Sequence, residues 1–191
     1  MRNIILASKS PRRIELLRKI GLKFKVEASR YSEKLNPKLK PRALARILSA
    51  GKAKSAAARH KNAIIIAADT VVVLGKKVFG QPRSKTEAKK MLKMLSGRSH
   101  KVITGFIVMD TASGRKISGE EETKVFFRKL SGEEIKSYVN SGEPAGKAGA
   151  YAVQGLGSLL VKRIEGDYFN IVGLPLCSLT EALKKIGVSV L

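Results

Sequence analysis

The chain has 191 residues, 43% of them apolar, which suits one domain spanning 1–191, either simple or two-lobed, with a real hydrophobic core. Lys and Arg number 38 against 15 Asp and Glu, a formal charge of +23 that predicts attraction to polyanions without choosing among nucleotides, nucleic acid and anionic membranes. The single cysteine excludes an internal disulfide, no signal-peptide pattern opens the chain and no apolar run approaches membrane-spanning length, so a cytoplasmic protein without membrane partners is expected.

In chain order, Ile4-Ile5-Leu6 predicts a short strand. Ser10 followed by Pro11 is a helix-start signal, Ile14, Leu17 and Ile20 continue at helical spacing, and Gly21 is a stop. Ser8, Ser10, Arg12 and Arg13 therefore sit where a strand turns into a helix. Free backbone N–H groups, the helix dipole, hydroxyls and guanidiniums would converge there on an anion such as phosphate. An ordinary capped helix with two solvated arginines explains the same residues, and local chemistry leaves both readings open.

Phe24 to Ala28 predicts a second short strand, and the polar, proline-punctuated segment Ser29 to Pro41 a loop carrying Glu33. Pro41 to about Arg59 predicts a helix with Leu44, Ile47, Leu48 and Gly51 inward and Lys52 one residue past that face. Ala63 to Ala68 is a continuous apolar run, predicted to be a strand buried on both faces and ending at Asp69-Thr70. A strand resumes over Val71 to Leu74, and a turn-rich loop with Gly80-Gln81-Pro82 follows. Thr86 to Leu95 predicts a helix with Ala88, Met91, Leu92 and Leu95 inward. Val102 to Met109 and Thr123 to Arg128 predict a long hairpin. Ser131 with Glu134 is a capping box for a helix that stops near Gly142. Lys147 to Gly157 is glycine-rich, Ser158 to Ile164 predicts a strand, and Ser178 with Glu181 a second capping box for a last helix ending near Gly187. The expected class is mixed α/β, a central mixed sheet flanked by helices, not a plain doubly wound sheet.

Asp69 is the sharpest chemical candidate. A carboxylate at the carboxyl end of a central strand is where open α/β sheets place ligand groups, and burial beside Ile66 and Ala68 makes an idle charge costly. Such a group can hold a divalent metal or orient a water. Glu33 and Lys52, on chemistry alone, are solvated charges. His60 and His100 have no metal-ligand partners at useful spacing and are expected on the solvent side; Cys177, in an apolar context, is expected in the core. No Gly-x-x-x-x-Gly-Lys-Ser/Thr loop, Gly-x-Gly-x-x-Gly unit, His-Glu-x-x-His or Gly-x-Ser-x-Gly occurs, which argues against P-loop, dinucleotide-binding, zincin and serine-hydrolase chemistry. In Ala148 to Gly157 the glycines permit close ligand approach, and the Gln154 amide can pair with a base edge. A bulged strand entry accounts for that segment equally well.

Leu6-Ala7-Ser8-Lys9-Ser10-Pro11-Arg12-Arg13-Ile14-Glu15-Leu16-Leu17 resembles the opening signature of the Maf family of nucleoside triphosphate pyrophosphatases. The resemblance extends through Glu33, Lys52, Ala68-Asp69-Thr70-Val71-Val72, Leu95 to His100, Ala148 to Gly157 and Glu165 to Pro175. It implies a two-lobed mixed α/β fold with an active cleft between the lobes, a homodimer, and hydrolysis between the α and β phosphates with Mg²⁺ or Mn²⁺. Asp69 and Glu33 would hold the metal, Asp69 would also serve as base, and Ser8, Arg13 and Lys52 would neutralise phosphate. Arg12, Thr70 and Gln154 match the branch acting on dTTP and UTP; the 7-methyl-GTP branch has an aromatic residue, Gln and Glu at those positions. The family's usual Gly-Lys-Pro is here Gly80-Gln81-Pro82, and Ser84 stands at a usually acidic position, which predicts activity with a lowered rate or an altered substrate range. The implied role is removal of modified pyrimidine nucleotides from the pool. The alternatives are a regulatory protein of septum formation and cell division, a nucleic-acid-binding protein drawn non-specifically by charge, and an inosine or xanthosine triphosphate pyrophosphatase, which would not need the Arg12, Thr70, Gln154 set.

Overall fold

The β-branched runs of the sequence form one seven-stranded mixed sheet flanked by helices in the computed structural model, which describes residues 2–32, 36 and 39–191. The strands are β1 (Asn3–Leu6), β2 (Lys25–Val26), β3 (Ala63–Leu74), β4 (Lys77–Phe79), β5 (Ser99–Asp110), β6 (Lys116–Phe127) and β7 (Val161–Glu165). The helices are α1 (Pro11–Lys19), α2 (Pro41–Ala57), α3 (Lys85–Leu95), α4 (Gly132–Asn140), α5 (Tyr168–Val172) and α6 (Leu176–Lys185). Strand order is β2-β1-β3-β5-β6-β7, with β4 paired to β3. Among the described residues no helix is long and apolar enough to cross a membrane. The chain divides into two compact units, Met1–Asp69 with Thr104–Glu121 and Gly173–Leu191, and Thr70–Ile103 with Glu122–Val172.

In the first unit β1 runs parallel to β2 and to the opening of β3, with Leu6 opposite Val26 and Ile66. Parallel strands covered on both faces need continuous apolar sequence, and Ile64, Ile65 and Ile66 are fully buried. α1 begins with Ser10 at the N-cap and Pro11 at the first helical position. The Ser10 hydroxyl caps nothing, contrary to expectation; instead the Ser8 hydroxyl accepts from the Ser10 N–H at 3.2 Å. Gly21, at φ +74°, reverses the chain, and the Leu22 N–H donates to the Leu17 carbonyl at 3.2 Å, closing the helix end.

α2 lies on the face formed by Ile5 of β1, by Ala7 just after that strand, and by Ala63, Ile65 and Ala67 of β3. Its buried stripe is Leu44, Ala45, Leu48, Ser49, Lys52, Ala53 and Ala56, rotated one position from the predicted face. Ile47 is 47% exposed and Lys52 is buried, the reverse of the expectation for both. Small residues cause the rotation. Ala45, Ser49 and Ala53 let the helix backbone approach the sheet, and a Cβ at Gly105 of β5 would fall 2.5 Å from the Ala45 carbonyl carbon. α6 starts from Pro175 at its N-cap position with no side-chain cap, and the predicted Ser178–Glu181 box does not form. Cys177, in the first turn of α6, is exposed rather than in the core.

In the second unit the rest of β3 pairs antiparallel with β4, Val72 facing Phe79. β3 is therefore a continuous strand of 12 residues that passes through Asp69 and Thr70 instead of ending there. α3 buries the four residues expected, Ala88, Met91, Leu92 and Leu95. Its N-cap is Ser84, whose hydroxyl accepts from the Glu87 N–H at 3.1 Å. α4 opens with the predicted reciprocal Ser131–Glu134 box. The glycine-rich segment folds as two short 3₁₀ helices, Ala148–Ala150 and Gly155–Leu160, so the strand expected from Ser158 starts only at Val161. His100 is only 2% exposed, contrary to expectation. Its Nε2 lies 2.8 Å from the Tyr151 hydroxyl, and its ring meets those of Tyr151 and Phe127 edge to face.

Candidate active site

Alternation along β3 decides which side chains meet α2. Ala63, Ile65 and Ala67 face the helix, so Asp69, next in that series, continues on the same face. Lys52 belongs to the stripe of α2 that covers it. The two side chains meet at 2.5 Å, Lys52 Nζ donating to Asp69 Oδ1, with side chains only 11% and 8% exposed. Taking either charge out of water alone would be costly, and their pairing is what lets an Asp stand inside a central strand.

Beside β3, Arg13 is buried in the first turn of α1. Its Nε donates to the Gly173 carbonyl at 2.7 Å, and its Nη1 donates to the Ala68 carbonyl at 2.8 Å and to Ser8 Oγ at 3.4 Å. The guanidinium thus ties the β1–α1 turn to β3 one residue before Asp69 and to the segment before α6. The strand–helix turn is more than an ordinary cap with solvated arginines: Ser8 and Arg13 are both buried, and Arg12 is half-buried. Ser8, Arg13, Lys52 and Asp69 form one buried polar group, drawn from the β1–α1 turn, α1, α2 and β3, within the first unit.

Glu33 lies outside the described residues. Thr70, half-buried, follows Asp69 in β3. Gln81 is exposed in the second unit, just after Gly80, whose carbonyl accepts from the Gly149 N–H at 3.0 Å. Gln154, half-buried in the same unit, is the N-cap residue of the second 3₁₀ helix. Ser84, the other departure from the pattern, serves as the α3 cap, a task Asp and Ser perform alike.

Two features escaped sequence reasoning. The carbonyls of Ala68 and Gly173 hold Arg13, and no side-chain pattern announces a backbone acceptor. Glu143 gathers the glycine-rich segment through its carboxylate; its only signal was an acidic residue just before that segment. Among the described residues no three His, Cys, Asp or Glu side chains form a metal-binding group.

Residues 3–186 match the family described as Maf-like protein. The chain belongs to the Maf family. It is 50% identical over 191 residues to the dTTP/UTP pyrophosphatase of Methanosarcina barkeri, covering 100% of this chain and 97% of that protein. It is similar to the dTTP/UTP pyrophosphatase of Carboxydothermus hydrogenoformans at 51% identity, covering 96% of this chain and 98% of that protein. The dTTP/UTP pyrophosphatase of Pelotomaculum thermopropionicum is 46% identical, with both chains covered in full. The Ser8–Arg13 turn and the Asp69 strand of this Maf protein fall inside the family match.

Proposed function

We infer that this Maf protein is a nucleoside triphosphate pyrophosphatase that hydrolyses dTTP and UTP to the monophosphate and pyrophosphate. The observation that carries the reading is the buried Lys52–Asp69 pair with Arg13 and Ser8 beside it, in a chain about half identical, end to end, to relatives of that name. The reaction adds a water oxygen to the α phosphorus, passes the water proton to Asp69, and breaks the bond to the bridging oxygen, which leaves with its electron pair on pyrophosphate. Asp69 is the base that orients and deprotonates the water. Lys52 holds Asp69 in place through its hydrogen bond and faces the charge that builds on the leaving group. Arg13, fixed by two backbone carbonyls, and Ser8 hold the phosphates at the turn.

Asp69 is a single carboxylate already bonded to Lys52 at one oxygen, and the Ser8 hydroxyl is the other side-chain oxygen of this group. That donor set fits a small hard cation carried mostly by substrate phosphates and water rather than a protein cage. Asp69 would hold Mg²⁺ or Mn²⁺, with Glu33 as the second carboxylate. When bound, the metal supplies charge neutralisation on the triphosphate.

Arg12, Thr70 and Gln154 select the base, the Gln154 amide offering a donor and an acceptor to the imide edge of uracil or thymine. Gln81 meets phosphate as a neutral donor, which lowers the rate without abolishing it. The chain is one Maf domain over 1–191, acts in the cytoplasm as a homodimer, and clears modified pyrimidine nucleotides; the family resemblance supports these points.

The test is product analysis on a panel of nucleoside triphosphates with Mg²⁺ and with Mn²⁺. Monophosphate and pyrophosphate from dTTP and UTP in preference to purine nucleotides is the expected result. Release of inorganic phosphate and a diphosphate would overturn the bond assignment.

A further inference from the structure

The segment that carries Gln154 is held by one carboxylate. Glu143 Oε2 accepts from the Leu156 N–H at 3.0 Å, and Oε1 accepts from the Gly157 N–H at 2.9 Å and from the Tyr138 hydroxyl at 2.9 Å. The Tyr138 oxygen in turn accepts from the Ala152 N–H at 3.2 Å. Glu143 therefore reaches both sides of Gln154, two residues before it through Tyr138 and two and three residues after it directly. These charge-assisted bonds are stronger than neutral ones, and a carboxylate with three donors has little freedom to turn.

The glycines of the segment fit the same carboxylate. A Cβ at Gly155, where φ is +64°, would sit 2.7 Å from Glu143 Oε2. A Cβ at Gly157 would meet Tyr138 Oη at 2.6 Å and the Ala152 carbonyl at 2.3 Å. Only glycine lets the backbone wrap the carboxylate this closely. Upstream, Tyr151 is pinned by His100 and Phe127. The Gln154 side chain caps nothing and makes no hydrogen bond with the described residues, so the backbone that bears it fixes where its amide is carried.

We propose that Glu143 is a positioning residue for base selectivity: its carboxylate closes residues 152–157 into a fixed cradle that aims the Gln154 amide at the pyrimidine edge. This rests on Gln154 reading the base. A site that pairs with polar base edges discriminates through fixed geometry, and a loose amide pairs with any base.

The experiment measures kcat and KM for dTTP, UTP and GTP with wild type, Glu143→Gln, Tyr138→Phe, Gln154→Ala and the Glu143→Gln, Gln154→Ala double variant, with melting curves for each. Glu143→Gln puts an NH₂ against a backbone N–H and should lower the dTTP-over-GTP ratio of kcat/KM about tenfold, mostly through KM, with kcat on dTTP kept within about threefold. Tyr138→Phe, which removes the hydroxyl between Glu143 and Ala152 but leaves the carboxylate on the Leu156 and Gly157 N–H groups, should lower the same ratio about threefold and keeps the proposal testable should Glu143→Gln not fold. In the Gln154→Ala background Glu143→Gln should have no further effect on the ratio. Equal loss on all three nucleotides, or an undiminished effect without Gln154, would overturn the proposal while leaving the base-reading role of Gln154 intact. An unchanged ratio in Gln154→Ala alone would overturn the base-reading role, and the proposal with it.

Discussion

Lys52 and Asp69 compensate each other's charge away from water, so removing one harms the fold. Lys52→Met should cost about 3–5 kcal/mol in urea unfolding, since it strands a buried carboxylate. Asp69→Asn keeps an oxygen for the Lys52 ammonium and should cost far less. His100 carries a second residue-scale consequence. Burial pushes its pKa down to about 4 from 6.5, so it is neutral in the folded protein. The unfolded chain then binds the extra proton between these values. The stability that follows is full above pH 6.5 and falls by about 3 kcal/mol as pH drops to about 4. Unfolding of His100→Gln followed from pH 7 to pH 4 should show a flatter decline than wild type; an identical decline would place the titration elsewhere. At this scale the burial of Asp69 was legible because it directly follows six apolar residues. His100 was not, since a lone histidine beside Ser99 and Lys101 carries no sign of a tyrosine 51 residues away.

Among the elements, those whose burial follows large apolar residues were read in register. α3 buries the Ala88, Met91, Leu92 and Leu95 face that its spacing predicts. α2 was rotated because its contact with the sheet is made by alanines and a serine, which carry little hydrophobic signal, while Ile47 stays outside. That rotation alone moved Lys52 from a surface edge to the Asp69 carboxylate. β3 was read as interrupted because a charge usually ends a buried strand; here Lys52 satisfies it and β4 pairs the remainder. The cap of α3 gives an element-scale prediction. Ser84→Ala should cost about 1 kcal/mol, seen as a lower melting temperature, while kcat on dTTP stays within about twofold. A large loss of kcat with unchanged stability would instead assign Ser84 to the reaction. Ser84→Asp should restore the cap.

For the whole molecule, class followed from the sequence, since β-branched runs, caps and glycine stops each act locally, but β4 lies within Gly75 to Ser84, which reads as a turn-rich loop. The hairpin of β5 and β6 was read shorter than it is because its outer half alternates polar residues such as Ser118 and Glu120. The charge of +23 remains compatible with two uses, nucleotide capture and non-specific polyanion binding, and composition does not separate them. Only chemistry that depends on one atom group does. The direct measurement is pyrophosphate release from dTTP and UTP by wild type and Asp69→Asn side by side, with folding and nucleotide binding checked in both. Catalysis by Asp69 predicts that the variant folds and binds nucleotide but loses about 10³-fold in kcat. Equal turnover by the two proteins would contradict the assignment of Asp69 as the base, and no turnover by either would bring the polyanion-binding reading forward.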